Sequence, residues 1–170
     1  MKATNKMTHE IDGNTLTLTR TFDAPRELVF EAFSKCEHLQ NWWGPKHWSL
    51  PVCEMDFRPG GKWFYCMGGP DGERSCGAML YHEIVAPERI VATDQFTDGE
   101  GNVNEDLPQM RETFLFSEKE GKTVLVNRSE YATEDDLNAV LEMGMLEGIA
   151  QTFDRLDGHL AGVQAQAPGT

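Results

Sequence analysis

The sequence predicts an α+β fold in which a sheet of short antiparallel strands wraps around one long C-terminal helix. Three observations predict it: an amphipathic stretch from Thr133 to Ala161, six strand-like segments between Trp48 and Tyr131, and a length of 170 residues, which suits a single core.

The helix comes first because the rest of the chain must cover it. Thr133, with Asp136 three residues on, reads as an N-cap, and Glu134, Asp135 and Asp136 put negative charge at the positive end of the helix dipole. Leu141, Met145, Ile149, Thr152, Phe153, Leu156 and Leu160 then recur at three- and four-residue steps. Gly162 reads as a stop. A rod of roughly 40 Å at 1.5 Å per residue, with Gly144, Gly148 and Gly158 inside it, is not stable alone, so a sheet must pack on its apolar stripe.

The remaining elements follow in order. Residues 1–13 are polar and aperiodic and read as a flexible leader. Asn14 to Phe22 alternates Leu with Thr and forms a first strand. Pro25 at N1 opens a short helix carrying Val29, Phe30, Ala32 and Phe33, and a second short helix runs from about Cys36 to Trp42 before Gly44-Pro45. A meander follows: Trp48 to Phe57, Lys62 to Met67, Arg74 to Val85, Arg89 to Thr97, Gln109 to Ser117 and Thr123 to Tyr131. Gly68-Gly69-Pro70-Asp71-Gly72 is a hairpin loop, and Pro87 and Gly121 mark two further turns. One domain therefore spans residues 14–162, and 163–170 read as a disordered tail.

Composition excludes several classes of function. A net charge of −13 and a pI near 4.7 argue against nucleic acid and anionic membranes as partners, since both select basic clusters. No segment approaches the roughly 20 apolar residues of a membrane span and no apolar leader is present, so a cytoplasmic location is expected. Cys36, Cys53, Cys66 and Cys76 are then expected to be reduced, although Cys66 and Cys76 lie on two arms of one hairpin and can face each other. With His38, His47 and His82 they fit no zinc spacing, and the acidic loop from Asp98 has Val103 where a calcium loop needs glycine. No metal site and no cofactor are expected. Nucleophile-elbow, zincin, P-loop and dinucleotide motifs are all missing.

Six signals, in order, carry a family resemblance: Phe22-Asp23-Ala24-Pro25-Arg26-Glu27-Leu28-Val29-Phe30, Trp42-Trp43-Gly44-Pro45, Asp56-Phe57-Arg58-Pro59-Gly60-Gly61, Gly69-Pro70-Asp71-Gly72, Pro87-Glu88-Arg89-Ile90-Val91 and the Gly144/Gly148 helix. From about Thr15 to Leu160 the chain resembles the Hsp90-ATPase-activator-homology family of the START-like (SRPBCC) superfamily. The resemblance implies the Bet v 1-like helix-grip fold: a seven-stranded curved antiparallel sheet around a long C-terminal helix, two short helices between strands 1 and 2, and a cavity between sheet and helix. One departure is Gly148-Ile149, where the family often has Gly-Trp. The Asp56 to Gly61 motif itself reads as a braced turn rather than an anion nest.

Candidate ligand contacts come from the aromatic and soft apolar residues of the implied concave face and from the glycines of the last helix. They are Trp43, Trp48, Trp63, Tyr65, Met67, Tyr81, Phe96, Phe114, Gly144 and Gly148. Strand alternation points Trp63, Tyr65 and Met67 at the helix. Asp94, Glu112, His82 and Arg128 are strand-borne polar residues that can enter the cavity, where burial would shift their pKa; parity alone does not choose among them. The function expected is sequestration of a small, largely apolar ligand, lipid-like or polyketide/aromatic. The alternatives are a cyclase, dehydratase or hydrolase acting on such a ligand and, last, a chaperone partner. The last ranks lowest because eukaryotic activators carry a further N-terminal domain, whereas 13 residues precede the first strand here.

Overall fold

The computed structural model describes residues 6–166. In chain order the elements are β1 (Thr8–Asp12), β2 (Thr15–Phe22), α1 (Arg26–Ser34), α2 (Cys36–Trp42), β3 (Ser49–Met55), β4 (Lys62–Gly68), β5 (Arg74–Val85), β6 (Arg89–Thr97), β7 (Met110–Lys119), β8 (Lys122–Tyr131), α3 (Glu134–Glu142) and α4 (Met145–Gln166). All eight strands form one antiparallel sheet in the order β1-β2-β8-β7-β6-β5-β4-β3. The strand beyond the expected seven is β1, which lies in the stretch read as a leader. It pairs with β2 across a two-residue turn in which Gly13 takes φ +61°, the left-handed conformation that hairpin turns require. All five of its residues are exposed, which hid it from any search for an apolar period.

Alternation fixes which side chains line the concave face. On β2, Leu16, Leu18, Arg20 and Phe22 are buried while the threonines between them are only half-buried. Arg20 reaches the final helix, with Nη1 2.7 Å from Asp154 Oδ1 and its guanidinium over the Phe22 ring. Between β2 and β3, α1 and α2 cross beneath the sheet. Trp42 is fully buried there, donating its indole N–H to the Ala32 carbonyl at 3.1 Å and packing edge-on against Phe33. Burying a side chain of that size stabilises the fold by about 1.5–3 kcal/mol.

The long helix is in fact two. Thr133 caps α3, accepting from the Asp136 N–H at 3.0 Å as its sequence predicts. Its C-terminus then tightens: the Met143 and Gly144 amides donate to Val140 and Leu141, and Gly144 adopts φ +85°. That is a left-handed C-cap, and α4 starts afresh at Met145. Gly162 is no stop, because α4 continues to Gln166, where Gln164 Nε2 donates to the Asp23 and Leu160 carbonyls and ties the last turn to the β2–α1 corner. Residues 167–170, the end of the expected disordered tail, lie outside the described residues.

The core divides into two clusters. The larger holds Phe22, Phe30, Phe33, Trp42, Trp63, Phe114, Phe116, Phe153 and Leu156, and the smaller holds Leu16, Leu18, Met110, Tyr131, Leu137 and Val140; Ile149 of α4 packs against both. Two disulfides correct the expectation of reduced thiols. Cys36–Cys53 joins α2 to β3, and Cys66–Cys76 joins directly opposed residues of β4 and β5. The Asp56 to Gly61 motif is a turn: Arg58 Nε meets Asp56 Oδ2 at 2.8 Å, and a Cβ on Gly61 would overlap the Asp56 carbonyl. Among the described residues no helix is long and apolar enough to cross a membrane.

Candidate functional site: a cavity between sheet and helix

Where the two core clusters part, the structure leaves a cavity of about 330 Å³, within the range of small-molecule sites. Its floor is the sheet, with Tyr65 and Met67 from β4, Met79 from β5, Asp94 and Phe96 from β6, Glu112 and Phe114 from β7, and Asn127 from β8. Its roof is the helix break: Val140, Met143, Gly144, Met145, Gly148, Ile149 and Phe153. Strand pairing brings the floor together, since Gly77 stands between Tyr65 and Phe96, Asp94 opposite Met79, and Phe114 opposite Asn127. Gly77 is required here. A Cβ would come within 2.7 Å of the Tyr65 hydroxyl.

The mouth is closed on one side by the loop Trp43-Gly44-Pro45, which α4 holds at three successive positions. Gly148 faces Pro45, Gln151 Oε1 accepts from the Lys46 amide at 3.2 Å, and Arg155 Nη1 donates to the carbonyls of Gly44, Pro45 and Trp48 at 2.9, 3.1 and 3.1 Å. Arg155 therefore belongs to the site although it does not line the cavity.

Seven of the ten residues expected from sequence line this space: Trp43, Tyr65, Met67, Phe96, Phe114, Gly144 and Gly148. The other three do not, each for a packing reason. Trp63 points at the helix side as expected but lies under Trp43, with ring centroids 4.7 Å apart, and its indole N–H meets Cys53 Sγ at 3.2 Å. Tyr81 is buried edge-on against Phe57. Trp48 sits in the loop before β3, half-buried against Gly69 and outside the cavity. Of the two glycines, only Gly148 opens space within a helix; Gly144 serves as the break itself.

Of the four polar candidates, Asp94 and Glu112 enter the cavity. His82 is exposed and bonds Thr93, while Arg128 is exposed beside Glu130. Glu112 accepts from Ser129 Oγ at 2.5 Å and from Asn127 Nδ2 at 2.8 Å. Asp94 accepts from the Tyr65 hydroxyl at a long 3.4 Å. Burial, and then the charge of Glu112, push the Asp94 carboxyl up to about 8, with Tyr65 and the Gln95 amide pulling the other way. Burial also raises Glu112, against the pull of Ser129 and Asn127. The Tyr65 hydroxyl is driven well up by burial and by Asp94. The site thus offers an apolar chamber with two carboxyls whose pKa burial raises, Asp94 the one pushed to about 8.

The family model for Activator of Hsp90 ATPase homolog 1-like protein matches residues 23–161, which takes in both helices of the α1–α2 pair, the meander and the helix break. The chain belongs to this family. Among solved structures of the same fold, protein Ms6760 from Mycobacterium smegmatis is 33% identical over 91% of this chain and 94% of its own, with a TM-score of 0.83. A protein from Staphylococcus epidermidis is 32% identical over 92% and 94%, TM-score 0.79. One from Arthrobacter aurescens is 28% identical over 91% of each chain, TM-score 0.85. No curated protein matches the chain.

Proposed function

We propose that this chain sequesters a small, largely apolar molecule, lipid-like or aromatic, between its curved sheet and α4. The observation that carries the proposal is the cavity of about 330 Å³ floored by Tyr65, Phe96 and Phe114 and roofed by the Gly144 break and the Gly148 face of α4. Apolar burial at about 25 cal/mol per Å² supplies the affinity, and Asp94, Glu112 and Asn127 supply orientation. The mouth beside the Trp43-Gly44-Pro45 loop admits the ligand. A native mass spectrum of protein purified from its own cells tests this, followed by denaturing extraction of what is bound. A discrete added mass lost on unfolding is the expected result; a bare mass, together with no binding of apolar probes in vitro, overturns the reading.

A second reading is favoured by one observation. Asp94, held near 8 and bonded to Tyr65 inside a largely apolar chamber, can keep or release a proton close to neutral pH, as acid/base chemistry on a bound ligand needs. Turnover of a candidate ligand that is lost in Asp94→Asn would establish an enzyme. The family's description also raises an Hsp90-type partner, least favoured here; a stoichiometric Hsp90 complex in a pull-down would displace the cavity reading. Cytoplasmic residence belongs to the proposal as well, although the two disulfides count against a reducing compartment; trapping the thiols in living cells tests it, since alkylated Cys36, Cys53, Cys66 and Cys76 support it and protected disulfides overturn it.

A further inference from the structure

The cavity's charge is one-sided. Among the described residues, the ionised-type side chains lining it are two acids, Asp94 and Glu112, and no Lys, Arg or His lines it at all. A chamber meant only for hydrocarbon has no use for them, since a carboxyl removed from water is costly unless its lone pairs are met. Glu112 is met: each oxygen has its own donor, in Ser129 and Asn127. Asp94 is met less well: its donors are one neutral hydroxyl at a long 3.4 Å and the Gln95 amide, and it stands half-buried among the lining residues. Asp94 and Glu112 sit on adjacent strands, two residues out of direct register because Ala92 is the residue opposite Glu112. That diagonal leaves room for a ligand group between the carboxyls. Around it stand the rings of Trp43, Tyr65, Phe96 and Phe114, whose faces attract cations.

We propose that the ligand is an organic ammonium: an apolar body in the chamber, with a primary amine or quaternary nitrogen seated between Asp94 and Glu112 against the aromatic rings. This rests on the cavity being a binding site. It narrows the ligand class from apolar molecules in general to apolar cations, and it excludes fatty-acid-like anions.

Binding such a cation must also displace the proton that the empty site prefers to hold. The groups facing Asp94 are Tyr65 on β4, Tyr81 on β5, Glu112 on β7 and Tyr131 on β8; α3 and α4 present Val140, Met145, Ile149, Thr152 and Phe153 to the cavity and no charge. Apart from the two carboxyls these groups are tyrosines whose pKa burial raises, so they stay neutral. Affinity for a quaternary ammonium therefore rises with pH up to about 8 and then levels off, by at most about tenfold per pH unit for each proton displaced.

The test compares three probes of one shape on the full chain by calorimetry: 4-phenylbutylamine, 4-phenylbutanol and 4-phenylbutanoate. The amine is expected to bind at least about tenfold more tightly than the alcohol, and the carboxylate more weakly than either. Asp94→Asn, and independently Glu112→Gln, should each lower the amine-to-alcohol ratio by about tenfold or more, with circular dichroism reporting that the variants fold. If the alcohol equals the amine, the ammonium inference fails while the cavity reading stands. If the amine preference survives both substitutions, it reflects the protein's overall negative charge and the inference fails. If no probe binds, and Gly148→Trp behaves like the parent, both readings fall.

Discussion

Arg155 Nη1 lies 2.9 Å from the carbonyl oxygen of Gly44, and the same nitrogen reaches the carbonyls of Pro45 and Trp48. These carbonyls belong to a loop outside any strand ladder; Pro45 also accepts from the Trp48 amide at 3.0 Å, and the guanidinium gives all three a charged donor. Removing it in Arg155→Ala should cost about 2 kcal/mol, the range for bonds to a charged donor. Hydrogen exchange should quicken at residues 44–48 more than elsewhere. Arg155→Lys should recover only part of the loss, because one ammonium on a flexible stem cannot reproduce the planar fork. Unchanged exchange in Arg155→Ala would show that the loop is held by Gly148 and Gln151 alone.

Gly144 and Gly148 are one helical turn apart in sequence and opposite in their tolerance of a side chain. At Gly148 the backbone is helical and a Cβ would make an ordinary 3.6 Å contact with Pro45. Gly148→Ala should raise the melting temperature, with a gain of up to about 1 kcal/mol from helix propensity. At Gly144, φ is +85° and an L side chain is strained there although the surrounding space is open. Gly144→Ala should cost about 1 kcal/mol or more. Gly148→Trp should fold and block the cavity. Thermal melts of the two alanine variants separate the predictions, since one continuous helix would move both the same way.

That contrast shows where the sequence could be read and where it could not. The strands β4 to β6 and the helix α2 stand within a residue of their expected places because apolar alternation and Gly/Pro turns are local signals. The break at Gly144 was equally local: a C′ glycine after Met143 is a stop signal, but an apolar period continuing through it masked the interruption. The Gly13-Asn14 turn of β1 is also a known hairpin dipeptide, and it was hidden by a strand with no buried face. Parity carried more than was drawn from it. Once Phe96 and Phe114 are placed on the concave face, Asp94 and Glu112, each two residues away, must share it. The remaining features are tertiary. That Trp63 is covered by Trp43, that Arg155 spans to the Gly44 loop, and that Cys36 meets Cys53 depend on how α2, β3 and α4 are brought together, which no periodicity records.

The two disulfides close short loops, of 17 and 10 residues of sequence separation. On a loop-entropy argument each contributes about 3 kcal/mol by restricting the unfolded chain. Adding a reductant to the oxidised protein should therefore lower the denaturant midpoint while far-UV circular dichroism of the native state stays unchanged, because both pairs sit in packed elements whose cores do not need the bond. Cys36→Ser and Cys66→Ser should each give part of the loss. A reductant that leaves the midpoint unmoved would mean that the purified protein carries free thiols.

The stability of the empty protein should depend on pH in a way that surface acids would not give. A buried carboxyl whose folded pKa is raised binds its proton more tightly in the folded than in the unfolded chain. The stability contributed by that protonated form is complete below about pH 4, where both states hold the proton, and is lost as pH rises toward the folded value of about 8. The slope is at most about 1.4 kcal/mol per pH unit for each such group. Glu112, also raised by burial, adds to it in the same direction. Asp94→Asn cannot ionise, so it should flatten the slope and melt higher than the parent at pH 9 while differing little at pH 4 and below. Urea titrations at several pH values measure this directly. Parallel slopes for the two proteins would mean that Asp94 is hydrated in solution rather than enclosed, and the cavity would then be open to water on its sheet side.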